Sequence, residues 1–153
     1  MSGIENDGSE MEEHELEIEA LKATPFFADL HRDDLETVLR IGHHVHFDPG
    51  EAIVERGDKS DGMYIVVEGH AQVDVGGRYH DIKAGGFFGE MALIHGGRRG
   101  ATVKAVDEVG TLMIPGEDFR SFLLEHPSVA VTMLETLVKR LHEIQQRVEA
   151  WMS

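Results

Sequence analysis

The residues best placed to do chemistry lie in one stretch, "GGFFGEMALIHGGRRGATV", residues 85–103. Glu90 stands in a short apolar segment directly after Gly89, and Arg99 follows in a glycine-rich turn. "GEMALI" is long enough for one or two helical turns starting near Gly89. The first N–H groups of a helix lack internal partners and its dipole favours negative charge, so such a start can collect an anion. Arginine suits a phosphate because its planar fork donates two parallel hydrogen bonds. Glu90 would repel a phosphate directly but would accept a hydrogen bond from a neutral hydroxyl beside it. The pair therefore fits a ligand with one phosphate charge next to a hydroxyl. It fits a structural Glu90–Arg99 ion pair equally well, and spacing alone leaves both open.

A second array, "HHVHFDPGE", places His44, His46 and Glu51 in an H-x-H-x4-E pattern. On a strand, His44 and His46 share a face, which suits a divalent ion; the alternative is solvent-facing histidines on an edge strand. Cupins, also double-layered β-rolls, use that spacing, which makes a cupin-like metal-binding roll the alternative reading; the surrounding glycine and proline spacing does not follow theirs. Catalysis has little support. The chain has no cysteine for nucleophilic work, contains no G-x-S-x-G, and is expected not to be an enzyme.

The elements that hold these residues follow from periodicity. "EEHELEIEALKATPFFADL" and "HRDDLETVLRI" have helical spacing, with Leu16, Ala20, Leu35, Val38 and Leu39 on one side. From His43 to Pro115 the pattern turns to short strands, "HHVHF", "EAIVERG", "GMYIVVEG", "HAQVDV", "RYHDI", "ATVKAV" and "GTLMIP", separated by turn signals. Gly76-Gly77 suits a hairpin turn that needs positive φ. Seven or eight strands at this spacing indicate a mainly β chain with flanking helices: an eight-stranded jelly-roll-like β-roll. After Pro115 the helical period returns and runs to the end as a long C-terminal helix. Leu134, Leu137, Leu141, Ile144, Val148 and Trp151 recur there at spacings of three and four. That seam fits pairing with a second copy or packing on the chain's own roll.

The 153 residues carry a net charge of −15, with 41% hydrophobic and 28% charged residues, as in one globular domain. Such acidity argues against nucleic-acid and anionic-lipid partners. No apolar run is long enough to span a membrane, no secretory signal pattern is visible, and a cytoplasmic location is expected. Eight of the 29 acids and none of the 14 bases fall within residues 1–19. Residues 1–10 read as a solvated, disordered tail. The expected organisation is an acidic tail and helix start over 1–19 and one domain over 20–153.

The run "FGEMALIHGGRRGATV" resembles the phosphate-binding cassette of cyclic-nucleotide-binding domains, as found in the catabolite activator protein, kinase regulatory subunits and pacemaker-type channels. Their pattern, F-G-E-x-A-L and then R-x-A-T-V, is met here by Phe88, Gly89, Glu90, Ala92, Leu93, Arg99, Ala101, Thr102 and Val103. "FDPGEAIVERGDKSDGMYIVVEGHAQV" is similar to the family's first strands, with Gly50, Gly57 and Gly69. The resemblance implies a sensor of a cyclic nucleotide without other cofactor or metal. Arg99 would pair with the cyclic phosphate, backbone amides around Gly89, Glu90, Met91 and Ala92 would surround it, and Glu90 would bond the ribose 2′-hydroxyl. Phe88, Gly100 and Ala101 complete the cassette. Val73 and Ile82 match barrel positions facing sugar and base, and Arg140 and Ile144 fall where the last helix closes as a lid. Gly100 stands where cyclic-GMP-selective members often carry threonine, which favours cAMP and leaves cGMP open; His80 takes a position that is apolar in relatives and is placed to touch the base. Some relatives act as ligand-free interaction modules, but these usually lose the arginine or glutamate, and both are present here. The chain ends at Ser153, straight after the lid helix. A stand-alone sensor, or else a fragment of a larger protein, signalling to an unidentified protein effector or to a second copy through the last helix, is the expectation, with the start at Met1 favouring the former.

Overall fold

A computed structural model describes residues 3–93 and 96–152, with side chains from Met11 onward. Two helices come first, α1 (Gly3–Ala23) and α2 (Arg32–Ile41). Eight strands follow: β1 (His43–Phe47), β2 (Ala52–Val54), β3 (Gly62–Glu68), β4 (Ala71–Val75), β5 (Arg78–Ile82), β6 (Phe87–Phe88), β7 (Thr102–Ala105) and β8 (Val109–Pro115). A 3-10 helix, Glu90–Leu93, lies between β6 and β7, and α3 (Gly116–Glu125) and α4 (Pro127–Met152) complete the chain. The strands form two antiparallel four-stranded sheets, ordered β1-β8-β3-β6 and β2-β7-β4-β5. This is the β-roll with flanking helices that the strand spacing indicated.

β3 shows why the molecule has three layers. Its run Met63–Val67 is apolar throughout, as befits a strand buried on both faces. Because neighbouring side chains point to opposite sides, Met63 and Ile65 join one core while Tyr64 and Val66 join another. The first core lies under the helices, with Ile18, Leu21, Phe27, Leu35, Val38, Phe119 and Met133. The second fills the space between the sheets, with Phe47, Ile53, Val54, Val103 and Val109. The β4–β5 hairpin turns on Gly76 (φ 60°) and Gly77 (φ 85°), the positive pair a two-residue type I′ turn requires.

Four local outcomes differ from the periodicity. Phe87-Phe88 forms β6, opposite Ile65 and Tyr64; two residues are too short to show an alternation. The C-terminal helix is broken at Pro127, which lacks an N–H and forces His126 out of the helical region (φ −129°, ψ 68°). In α1, Leu16 is exposed while Ile18 and Leu21 are fully buried, so the inward face is set one step round from the expected one. Residues 1–10 read as a disordered tail, whereas α1 is already helical at Gly3 and runs without a break into the Glu-rich stretch from Glu10 to Glu19, whose glutamates are good helix formers. Met1 and Ser2 lie outside the described residues. Among the described residues no helix is long and apolar enough to cross a membrane.

α4 turns Val129, Met133 and Thr136 inward. Thr136 Oγ1 donates to Asp29 Oδ2 at 2.5 Å, tying the helix to the α1–α2 connection. Beyond Thr136 the helix projects outward, and Leu141, Ile144 and Val148 are about half exposed (56%, 51% and 49%).

Candidate ligand-binding site

Arg99 is the centre of the site. Its backbone is pinned to the β2–β3 loop: Arg99 N donates to Asp58 O (2.7 Å), Gly57 N to Arg99 O (2.9 Å) and Ser60 N to Gly97 O (2.8 Å). The side chain is turned inward and is only 7% exposed. Its guanidinium carbon lies 5.6 Å from the centroid of the Tyr64 ring. Nη2 is 3.8 Å from Asp61 Oδ1, too long for a hydrogen bond, and that carboxylate is 72% exposed. Nη1 is buried with no hydrogen-bond partner among the described residues. Burial pushes the guanidinium below its ordinary pKa, and Tyr64, Asp61 and Asp58 pull the other way. Arginine keeps its charge in proteins, so the result is a buried cation with an unsatisfied donor. Leaving such a donor unmet costs on the order of 1–3 kcal/mol, which an anion in front of it would offset.

Gly89 makes that approach possible. It has φ +79°, and a Cβ built on it would collide with Arg99 Nη1. The following 3-10 helix is closed by Ala92 N donating to Gly89 O at 3.0 Å. Ala92 and Leu93 are buried, Glu90 is half-buried, and Met91 is exposed. The expected turn after Gly89 is thus present, as a single 3-10 turn. Of the two readings of Glu90 and Arg99 left open by spacing, the ion pair is not formed: the carboxylate within 4 Å of Arg99 is that of Asp61.

The inter-sheet core forms the wall beside this turn. Val73 and Ile82 pack there with Tyr64 and Phe88, and Phe88 stacks on Tyr64 with centroids 5.2 Å apart and planes at 10°. His80 pairs across the ladder with Val73 and is exposed. Ala101 is half-buried and Gly100 exposed. Arg140 and Ile144 are exposed on the outward half of α4. The structure thus gathers Phe88, Gly89, Val73, Ile82 and Arg99 around one wall, and leaves Arg140 and Ile144 on a separate projecting element. Sequence reasoning missed Tyr64 and Asp61; their signal is the turn "GDKSDG" running into an aromatic-bearing strand.

The histidine array does not converge. His44 Nδ1 lies 2.6 Å from Glu17 Oε2, and Glu51 Oε1 accepts from Asp48 N at 2.9 Å across its own turn. Among the described residues no group of three or more metal-ligating side chains is assembled. β1, which carries both histidines, is an edge strand.

The profile of the family described as "Cyclic nucleotide-binding domain" matches residues 44–126. The chain belongs to this family. A cyclic nucleotide-gated potassium channel of Rhizobium etli is 35% identical over 118 residues, covering 77% of this chain and 33% of the channel. The chain therefore spans about a third of that curated relative. Among solved structures, the N-terminal domain of a transcriptional regulator from Streptomyces coelicolor A3(2) superposes with a TM-score of 0.74 at 26% identity, covering 83% of this chain and 95% of that one. The catabolite activator protein of Thermus thermophilus gives 0.66 at 25% identity, covering 84% and 63%. The matched segment of this cyclic nucleotide-binding domain runs from the second residue of β1 through β8 and α3, and so includes Gly89, Arg99 and Tyr64.

Proposed function

We propose that the chain is a non-catalytic, cytoplasmic sensor that holds a cyclic nucleotide between Arg99 and the turn after Gly89. The observation that carries this reading is the buried Arg99 guanidinium, whose Nη1 has no hydrogen-bond partner among the described residues and faces a glycine that leaves room for it. Arg99 pairs with the cyclic phosphate, the amides of Gly89, Glu90 and Met91 face its oxygens while that of Ala92 closes the turn on Gly89 O, and Glu90 accepts from the ribose 2′-hydroxyl. Phe88, Met91, Gly100 and Ala101 border the ligand, and Val73 and Ile82 face sugar and base. Glycine at position 100 offers no hydroxyl to a guanine amino group, which favours cAMP over cGMP. The sensing domain is residues 20–153, with the acidic segment before it as a solubilising lead.

Signalling runs through the 3-10 helix. Leu93 shares a core with Phe119 of α3 and Met133 of α4, and Gly116 abuts Ala92 O closely enough that a Cβ there would collide with it. A ligand that moves this turn by differential affinity therefore shifts α3 and α4. Arg140 and Ile144 then close over the base, and a protein effector or a second copy reads the new position of α4. Parallel calorimetric titration with cAMP and cGMP tests the reading. Saturable one-site binding with cAMP the tighter ligand is expected; no binding of either nucleotide overturns it.

A further inference from the structure

Arg99 poses a problem that a phosphate solves only after it arrives. A long, charged side chain is buried at 7% exposure with one donor unsatisfied and its nearest carboxylate 3.8 Å away and largely exposed. Something must hold it in place beforehand. The Tyr64 ring lies 5.6 Å beneath its guanidinium carbon, within the range in which an aromatic face attracts a cation. Tyr64 is itself fixed: Phe88 stacks on it at 5.2 Å and 10°, Phe47 meets it at 6.4 Å and 64°, and its backbone sits centrally in β3, between β8 and β6.

We infer that Tyr64 is the positioning residue of the site: its ring is the floor on which the Arg99 guanidinium lies, held toward the Gly89 turn in advance of any ligand. The inference rests on the sensor reading for its effect on binding, but not for its geometry. The ring, not the hydroxyl, carries the role. Phe88 acts through Tyr64 as the second layer of the same stack. A guanidinium resting on a ring has fewer orientations to lose when a phosphate binds, so removing the ring weakens binding without removing a contact to the ligand.

Two measurements on the full chain test this. Calorimetric titration with cAMP should show Tyr64→Leu binding roughly three- to thirtyfold more weakly, the factor that corresponds to a cation–π contact. Tyr64→Phe should retain wild-type affinity. Ile18→Val, which thins the core on the opposite face of β3, should lower thermal stability and leave affinity unchanged. In the nucleotide-free proteins, the Arg99 Nε–Hε NMR resonance should carry a ring-current displacement in wild type and Tyr64→Phe that Tyr64→Leu abolishes. Unchanged affinity in Tyr64→Leu, equal loss in Tyr64→Phe, or an Arg99 resonance indifferent to Tyr64→Leu overturns the inference. Absence of any nucleotide binding by the wild type defeats the sensor reading instead, and the nucleotide-free resonance then decides the positioning role alone.

Discussion

A Cβ on Gly89 would occupy the space taken by Arg99 Nη1, so the glycine and the arginine fix each other's place. Gly62 O lies 3.1 Å from the same position, and the backbone at Gly89 is left-handed at φ +79°. Gly89→Ala should therefore displace the guanidinium and strain the turn. Thermal unfolding should show a loss of about 1–3 kcal/mol, accompanied by a clear loss of cyclic-nucleotide affinity. Wild-type affinity in this variant would show that the guanidinium need not approach the turn.

Glu90 is half-buried and forms no ion pair with Arg99, which leaves its carboxylate for a hydroxyl. Glu90→Ala should weaken nucleotide binding by about 1.5–3 kcal/mol, the worth of a hydrogen bond to a charged group. A 2′-deoxy cyclic nucleotide should bind wild type and Glu90→Ala with similar affinity. An undiminished effect of the mutation on the deoxy ligand would place the role of Glu90 elsewhere.

The docking of α1 should depend on pH. Glu17 is 8% exposed, and burial raises its pKa; the pull of His44 and His14 in the other direction is outweighed, and Glu13 adds to the rise. His44 Nδ1 is 2.6 Å from Glu17 Oε2, but by proximity rather than an aligned hydrogen bond. A carboxyl whose folded pKa exceeds its unfolded one favours the folded state below the unfolded pKa. That contribution is lost as pH rises through the folded pKa. The melting temperature of wild type should therefore fall relative to Glu17→Gln as pH increases from about 4.5, the ordinary value. A constant difference between the two across that range would refute the argument.

The outward half of α4 leaves Leu141 at 56% and Val148 at 49% exposure, seven residues apart, with Ile144 at 51% between them. Such a stripe fits a second helix of the same kind. Light scattering should give a concentration-dependent dimer for the full chain and a monomer for Leu141→Asp. A wild type that stays monomeric at high concentration would assign the stripe to a different protein.

Much of this was legible in the sequence, for identifiable reasons. The strands showed because apolar runs were punctuated by turn glycines such as Gly76-Gly77, and the cassette showed because Gly89, Glu90 and Arg99 are contiguous enough to read as one motif. Tyr64 was not legible: its relation to Arg99 crosses 35 positions and arises only when β3 pairs with β6 and the Gly97–Arg99 segment pairs with the β2–β3 loop. The break at Pro127 was visible as a residue but overridden by the helical period on either side. α1 was misjudged by one face because Leu16 and Ile18 are both apolar, and only packing against α2 and β3 selects between them.

The central claim is that Arg99 receives a cyclic phosphate. Calorimetric titration of Arg99→Ala against wild type tests it most directly. Removing one partner of a buried charge pair costs about 3–5 kcal/mol, so affinity should drop at least about a hundredfold. The melting temperature of the nucleotide-free protein should hold, since the ion-pair neighbour of Arg99 among the described residues, Asp61, is already 3.8 Å away. Near-normal cyclic-nucleotide affinity in Arg99→Ala would contradict the account.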